Sequence, residues 1–209
     1  MPLAIPEFVI EAAHVTANTQ LVLVERESRD LGNWSQMRDC FHPDSHVRLS
    51  WFSGSGEDFV RGSIEMAKRK VLAKHRLGPV VVRVAGPRAV ASLSAIIDIP
   101  TVISGVEVQL SSHARFLYRT EQREGRWRIF SVDAVYVRDE FTVAIPGIQI
   151  PVTEKDVEGF RPSYRLLSYL LSKQGYEVNG DLPGDDRPDA ARELVSGLYG
   201  WAGIPADVG

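Results

Sequence analysis

The 209-residue sequence predicts an α+β fold in which helices come first and a curved antiparallel sheet follows. Three observations carry this. Glu7 to Asp30 contains neither glycine nor proline and repeats apolar residues at helical steps. From Gly78 to Arg138 the period becomes two residues, with turn signals at Gly86-Pro87, Ser104-Gly105 and Glu124-Gly125. At 44% hydrophobic residues the chain can fill one core and is short for two, so it reads as a domain over 1–145 and an extension over 146–209.

The first helix takes its stripe from Ala17, Leu21, Val24, Ser28 and Leu31, which leaves Asp30 at its end. Gly32 stops it, and Asn33 is placed to cap a short second helix that runs through Phe41 and carries Trp34. His42-Pro43-Asp44 breaks that helix, because proline lacks an amide donor and restricts its neighbour. His46 to Phe52 alternates, with Val47, Leu49 and Trp51 on the buried side of a strand. Ser53 to Gly56 reads as a flexible loop. A third helix then runs to about Lys74, where Ile64, Ala67, Val71 and His75 share a stripe that His75 closes.

Four strands follow, at about 79–85, 88–102, 106–122 and 126–138; short turns between them imply a meander of hairpins. In the third of these, Leu110, Ser112, Ala114, Phe116 and Tyr118 face the core, while His113, Arg115 and Arg119 face outward. Asp98 interrupts an apolar run on the opposite parity from Ile97 and Ile99, and so points outward. Two helices are expected in the extension, near 164–173 and 188–201, covering the main domain or a partner subunit.

Net charge is −3, from 24 basic and 27 acidic residues spread evenly, which offers no footprint for nucleic acid or an anionic membrane. No segment approaches the roughly 20 apolar residues of a membrane span, and no leader pattern opens the chain. One cysteine, Cys40, forbids an internal disulfide and fits a cytoplasmic location. His42, Asp44 and His46 cluster, but no further spaced ligand completes a metal site, and no glycine-rich phosphate loop is present. No metal and no cofactor are expected.

The motifs Arg29-Asp30-x-Gly32-Asn33-Trp34, Phe41-x-Pro43-Asp44, His75-x-x-Gly78 and Arg123-Glu-Gly-Arg-Trp-Arg-Ile129, in this order of elements, resemble the SnoaL-like, or nuclear transport factor 2-like, superfamily over residues 7–140. Within it the branch of scytalone dehydratase and lindane dehydrochlorinase is most similar. The resemblance implies a cone-shaped α+β barrel whose curved sheet packs on three N-terminal helices, and a homodimer paired through the outer sheet face. It also implies that Asp30 orients His75, which removes a proton from the substrate. The second histidine and the serine–asparagine pair of the scytalone enzyme have no counterparts here; Asp98-Ile-Pro100, Ala114 and Phe116 occupy those places.

The expected activity is therefore cofactor-independent proton abstraction, of dehydratase, lyase or isomerase type, on a small hydrophobic molecule, polycyclic ones included. Trp34, Leu49, Trp51, Ala114, Phe116 and Tyr136 are the expected substrate-binding residues. Two other readings share the fold: a ligand-binding or scaffolding module, and the small subunit of a ring-hydroxylating dioxygenase.

Overall fold

A computed structural model describes residues 7–205. Its helices α1 (Glu7–Leu31), α2 (Trp34–Asp39) and α3 (Gly56–Lys68) precede most of the sheet. Gly32, at φ 76°, takes the left-handed conformation that ends α1, and the Asn33 amide donates back to the Ser28 carbonyl at 2.8 Å. Asn33 supplies no side-chain cap to α2. The first turn of α3 is capped instead by Ser55, whose hydroxyl accepts from the Asp58 amide at 3.1 Å.

The buried face of α1 matches the stripe read from the sequence only in part: Ser28 is buried and Leu21 and Val24 pack against the core, but polar residues share that face. Asn18, Val22, Glu25, Arg26 and Ser28 are buried, whereas Ala17 and Leu31 are exposed. Polar side chains can occupy a core face when their partners are in place. Asn18 receives the Thr120 hydroxyl, and Glu25 holds Arg26 through two hydrogen bonds.

Three other expectations are corrected. The first strand, β1 (Phe41–Leu49), starts at Phe41 rather than His46; a register shift between these residues absorbs Pro43, which has no amide to give. The supposed flexible loop is a second strand, β2 (Phe52–Ser55), paired antiparallel to β1. Helix α3 ends at Lys68 rather than near Lys74, and Lys70 turns the chain at φ 60°. Val71 reaches the core from that turn and so imitates helical spacing. His75 consequently lies on a strand, β3 (Lys74–Leu77).

The remaining strands are β4 (Val81–Ala85), β5 (Arg88–Ile103), β6 (Val106–Arg123) and β7 (Arg126–Val143). The sheet order is β2-β1-β7-β6-β5-β3, with β4 also paired to β5. β2 and β3 are its two ends, so the curved sheet is open and not a closed barrel. The Ser104-Gly105 and Glu124-Gly125 hairpins have positive φ at both residues, the turn that suits twisted strands.

In the extension, α4 (Arg165–Lys173) lays Leu167, Leu170 and Leu171 into the main core on the inner side of the sheet. Asp139 of β7 accepts the Leu167 amide at 2.7 Å, taking the place of a cap. α5 (Pro188–Ala202) crosses the outer face, where Leu198 and Ala202 meet Val90, Leu117 and Val135, and Trp201 stacks on Phe130 at 5.4 Å. Each face of the sheet thus has its own helical cover.

Candidate active site

The end of α1 and the start of β5's partner strand β3 meet through Asp30 and His75. One Asp30 oxygen accepts the His75 backbone amide at 2.7 Å; the other lies 2.7 Å from the ring Nδ1. The β3–β5 pairing sets His75 opposite Ile97, so the imidazole enters the concave side of the sheet. The Lys74 ammonium also reaches the Asp30 carbonyl at the helix end. The imidazole is 3% exposed.

Burial opposes the charge on Asp30, yet the hydrogen bonds from the His75 ring and backbone amide and the nearby Arg29 hold its carboxyl below the ordinary carboxylate range. For His75, burial is the largest influence; the hydrogen bond to Asp30 works against it, while the charges of Arg26 and Arg29 add to it. The ring is pushed down to about 4. At neutral pH an ionised Asp30 therefore faces a neutral imidazole. An ionised oxygen at Nδ1 requires the hydrogen there, which leaves the lone pair on Nε2.

Beside the ring is a cavity of ≈ 30 Å³, bordered by Arg26, Arg29, His75, Trp51 and Phe116. That is room for one or two waters, far below the roughly 300 Å³ at which small-molecule pockets begin. Leu49 and Tyr136 also line it, and Leu167 and Leu171 of α4 close it. The His75 and Phe116 ring centres are 6.0 Å apart. The Tyr136 hydroxyl accepts the Ser50 amide at 3.0 Å, and burial raises its pKa, so it keeps its proton.

Of the residues expected to bind substrate, Leu49, Trp51, Phe116 and Tyr136 border this cavity. Trp34 does not; it lines a surface cleft of ≈ 230 Å³ between the ends of α1 and α3. Ala114 is buried core, away from the cavity wall. Asp98 faces out and pairs with Arg76 at 2.5 Å, and His113 lies on the outer face 3.5 Å from Glu140. Neither His42 nor Asp44 points toward a shared ion: the His42 ring bonds the Glu121 carbonyl at 2.9 Å and Asp44 pairs with Arg123 at 2.7 Å.

The sequence reading misses two guanidinium groups beside the dyad, Arg26 buried and Arg29 half-buried. Arg26 is 1% exposed. Burial opposes its charge, but the Glu25 carboxylate and Tyr118 more than offset this, and its pKa is raised. Arg29 lies over the rings of Trp51 and Phe59 at 5.8 and 5.9 Å, a cation–π arrangement. The signal is present in the residues: Val22, Arg26 and Arg29 are spaced four and three, one helix face ending beside Asp30.

The depressed His75 pKa fixes a pH dependence. Between the ordinary value of 6.5 and about 4, the unfolded chain binds a proton at His75 that the folded chain does not. Stability must therefore rise with pH through this window, by up to about 1.4 kcal/mol per pH unit, be complete above it, and be lost as pH falls through about 4. Urea unfolding of wild type and His75→Gln across these pH values is expected to show a flatter segment in the variant. Parallel curves would contradict a buried neutral imidazole.

A SnoaL-like domain profile matches residues 14–133, which is more than half of the chain. A PEP2-like protein of Fusarium vanettenii is 30% identical over 164 residues, covering 76% of this chain and 70% of its own. Pea pathogenicity protein 2 of the same fungus is 28% identical over the same shares. Among solved structures, a single-substitution variant of Rv3472, a protein of unknown function from Mycobacterium tuberculosis, aligns with TM-score 0.56 at 15% identity over 85% of this chain and 98% of its own. A candidate scytalone dehydratase from Novosphingobium aromaticivorans aligns with TM-score 0.52 at 12% identity over 70% and 97%. LinA gives 0.50 at 14% over 66% and 93%. These structures share the fold seen here, and on the profile and the Fusarium relative the chain belongs to the SnoaL-like domain family.

Proposed function

We propose that this protein is a cofactor-independent enzyme that removes a proton from a small hydrophobic molecule, in a dehydratase, lyase or isomerase reaction. His75 is the base and Asp30 the group that orients it. The observation that carries this reading is the 2.7 Å contact from Asp30 to His75 Nδ1 at the wall of an interior cavity, which leaves Nε2 for the substrate. The imidazolium formed in the reaction is stabilised by the same carboxylate, which offsets part of the cost that burial and the two arginines place on that charge. The one structural neighbour above named as a candidate scytalone dehydratase is consistent with this chemistry but shares only the fold. The single buried thiol of Cys40 supports a cytoplasmic setting, and no helix among the described residues is long and apolar enough to cross a membrane.

A second reading has its own observation. A cavity of ≈ 30 Å³ admits no ring-sized molecule until side chains move, which favours a ligand-holding or scaffolding module over an open active site. The small subunit of a ring-hydroxylating dioxygenase belongs with this reading. The two separate in one experiment. Screening small cyclic ketones and hydroxylated aromatics for turnover or for deuterium uptake from heavy water is expected to find a substrate. His75→Ala should lose about 10²–10⁴-fold in rate with its circular dichroism unchanged, and Asp30→Asn should lose less. Full turnover in folded His75→Ala would eliminate the base mechanism.

We also propose a homodimer, joined through the part of the outer sheet face that α5 leaves open, where Val102 and Val137 are exposed. Sedimentation should give twice the chain mass, and a monomer at micromolar concentration would refute the pairing.

A further inference from the structure

Arg29 is the less compensated of the two cations beside the His75 ring. Its Nε is buried with no hydrogen-bond partner, and its one side-chain hydrogen bond runs from Nη2 to the Met66 sulfur at 3.5 Å, a weak acceptor. Arg26, one turn earlier, has Glu25 to itself. Both oxygens of Asp30 are committed to His75. Burial, then repulsion by Arg26, bring the Arg29 pKa down to about 10, so the group stays charged at neutral pH. A buried cation with unused donors is costly unless something completes it.

Its position says what would complete it. Arg29 borders the cavity beside the His75 ring and also the cleft of ≈ 230 Å³ outside; Met66 and Ala73 border both. Met66, an unbranched thioether with three rotatable bonds, is the movable partition between the two spaces. A ligand that displaced it would meet the Arg29 donors and Nε2 of His75 together.

Charge then selects the ligand. With a neutral imidazole, Glu25 balances Arg26 and Asp30 balances Arg29 at longer range, so the resting site is neutral. A carboxylate or phosphate would leave an excess negative charge beside Asp30. A neutral molecule bearing a carbonyl would not. As its α-carbon gives a proton to Nε2, Asp30 pairs with the new imidazolium and Arg29 is released to pair with the new oxyanion.

We infer that Arg29 is the oxyanion-binding residue of this site and that its substrate is a neutral, enolisable carbonyl compound. The inference rests on the proton-abstraction reading above. The step balances within the site. The C–H bond breaks and its proton goes to His75 Nε2; its electron pair becomes the enolate C=C bond, and the carbonyl π pair moves to the oxygen held by Arg29. In a substrate with a β,γ C=C bond the enolate extends to a dienolate, and return of the proton to the γ-carbon, with the double bond moved to α,β and the C=O restored, completes an isomerisation.

4-Nitrophenol is the probe, because its neutral and ionised forms differ in visible absorbance. About two pH units below its own pKa, the wild type is expected to bind it, quench tryptophan fluorescence and raise the ionised fraction at least about tenfold over free probe. Arg29→Met should abolish this phenolate signal while unfolding at a higher temperature, because an uncompensated buried charge is gone; Arg29→Lys should keep part of it. Two results overturn the proposal: no phenolate with wild type, or an undiminished signal in Arg29→Met. His75→Gln separates the two readings. A signal lost in His75→Gln but kept in Arg29→Met leaves the dyad standing and removes Arg29, whereas the reverse pattern keeps the oxyanion site and removes the base.

Discussion

Asp30 spends both carboxylate oxygens on one residue. It accepts the amide and the ring N–H of His75, the second residue of β3, and so ties the end of the longest helix to the edge of the sheet. A carboxylate shared between backbone and ring fixes position and tautomer at once, since the amide contact prevents the oxygen from rotating away from Nδ1. The other site groups take their places from this junction. Arg29 precedes Asp30 by one residue and Arg26 by one turn, so anchoring the helix end brings both cations to the cavity wall.

The interior is costly in a specific way. A small domain rarely draws two guanidinium groups and two carboxylates inside; here Arg26 and Glu25 are buried and Arg29 and Asp30 half-buried. Glu25 and Arg26 satisfy each other through paired hydrogen bonds, with Tyr118 near by at 3.4 Å. Aromatic faces of Phe59, Phe116 and Trp51 supply the rest of the cations' surroundings. Such an arrangement holds His75 neutral: burial and the two cations raise the cost of protonating the ring, and the oriented Asp30 carboxylate offsets part of that cost. Of these two cations, Arg29 is the one without an anion in hydrogen-bond reach among the described residues. Stability is given up at the place where chemistry would use it.

Much of the architecture is legible in the residues. A stretch free of glycine and proline announces α1, and period-two alternation with Gly-containing turns locates the long strands β5 to β7. What misleads are local imitations. Val71 repeats the spacing of α3 although it packs from a turn, so the pattern puts His75 at a helix end when it belongs to β3. Pro43 reads as a break, yet a register shift lets the strand run past it. The partnership of Asp30 with His75 can be expected only through family resemblance, because 45 residues separate them and no periodicity links them. Arg26 and Arg29 escape notice for the opposite reason: charged residues on a helix are ordinarily solvated, and their partners become visible only in three dimensions. For α4 and α5 an amphipathic pattern identifies a helix but not the surface it covers. One closes the cavity and the other covers the outer sheet.

The central claim is that a buried, neutral imidazole holds its hydrogen on Nδ1 against an ionised Asp30 and offers Nε2 to the cavity. Nitrogen-15 NMR of histidine-labelled protein, assigned with His75→Gln, observes this directly. The account predicts a single Nδ1-protonated tautomer at neutral pH that takes up a second proton only near pH 4. A His75 ring that titrates near its ordinary 6.5, or that carries its hydrogen on Nε2 at neutral pH, would contradict it.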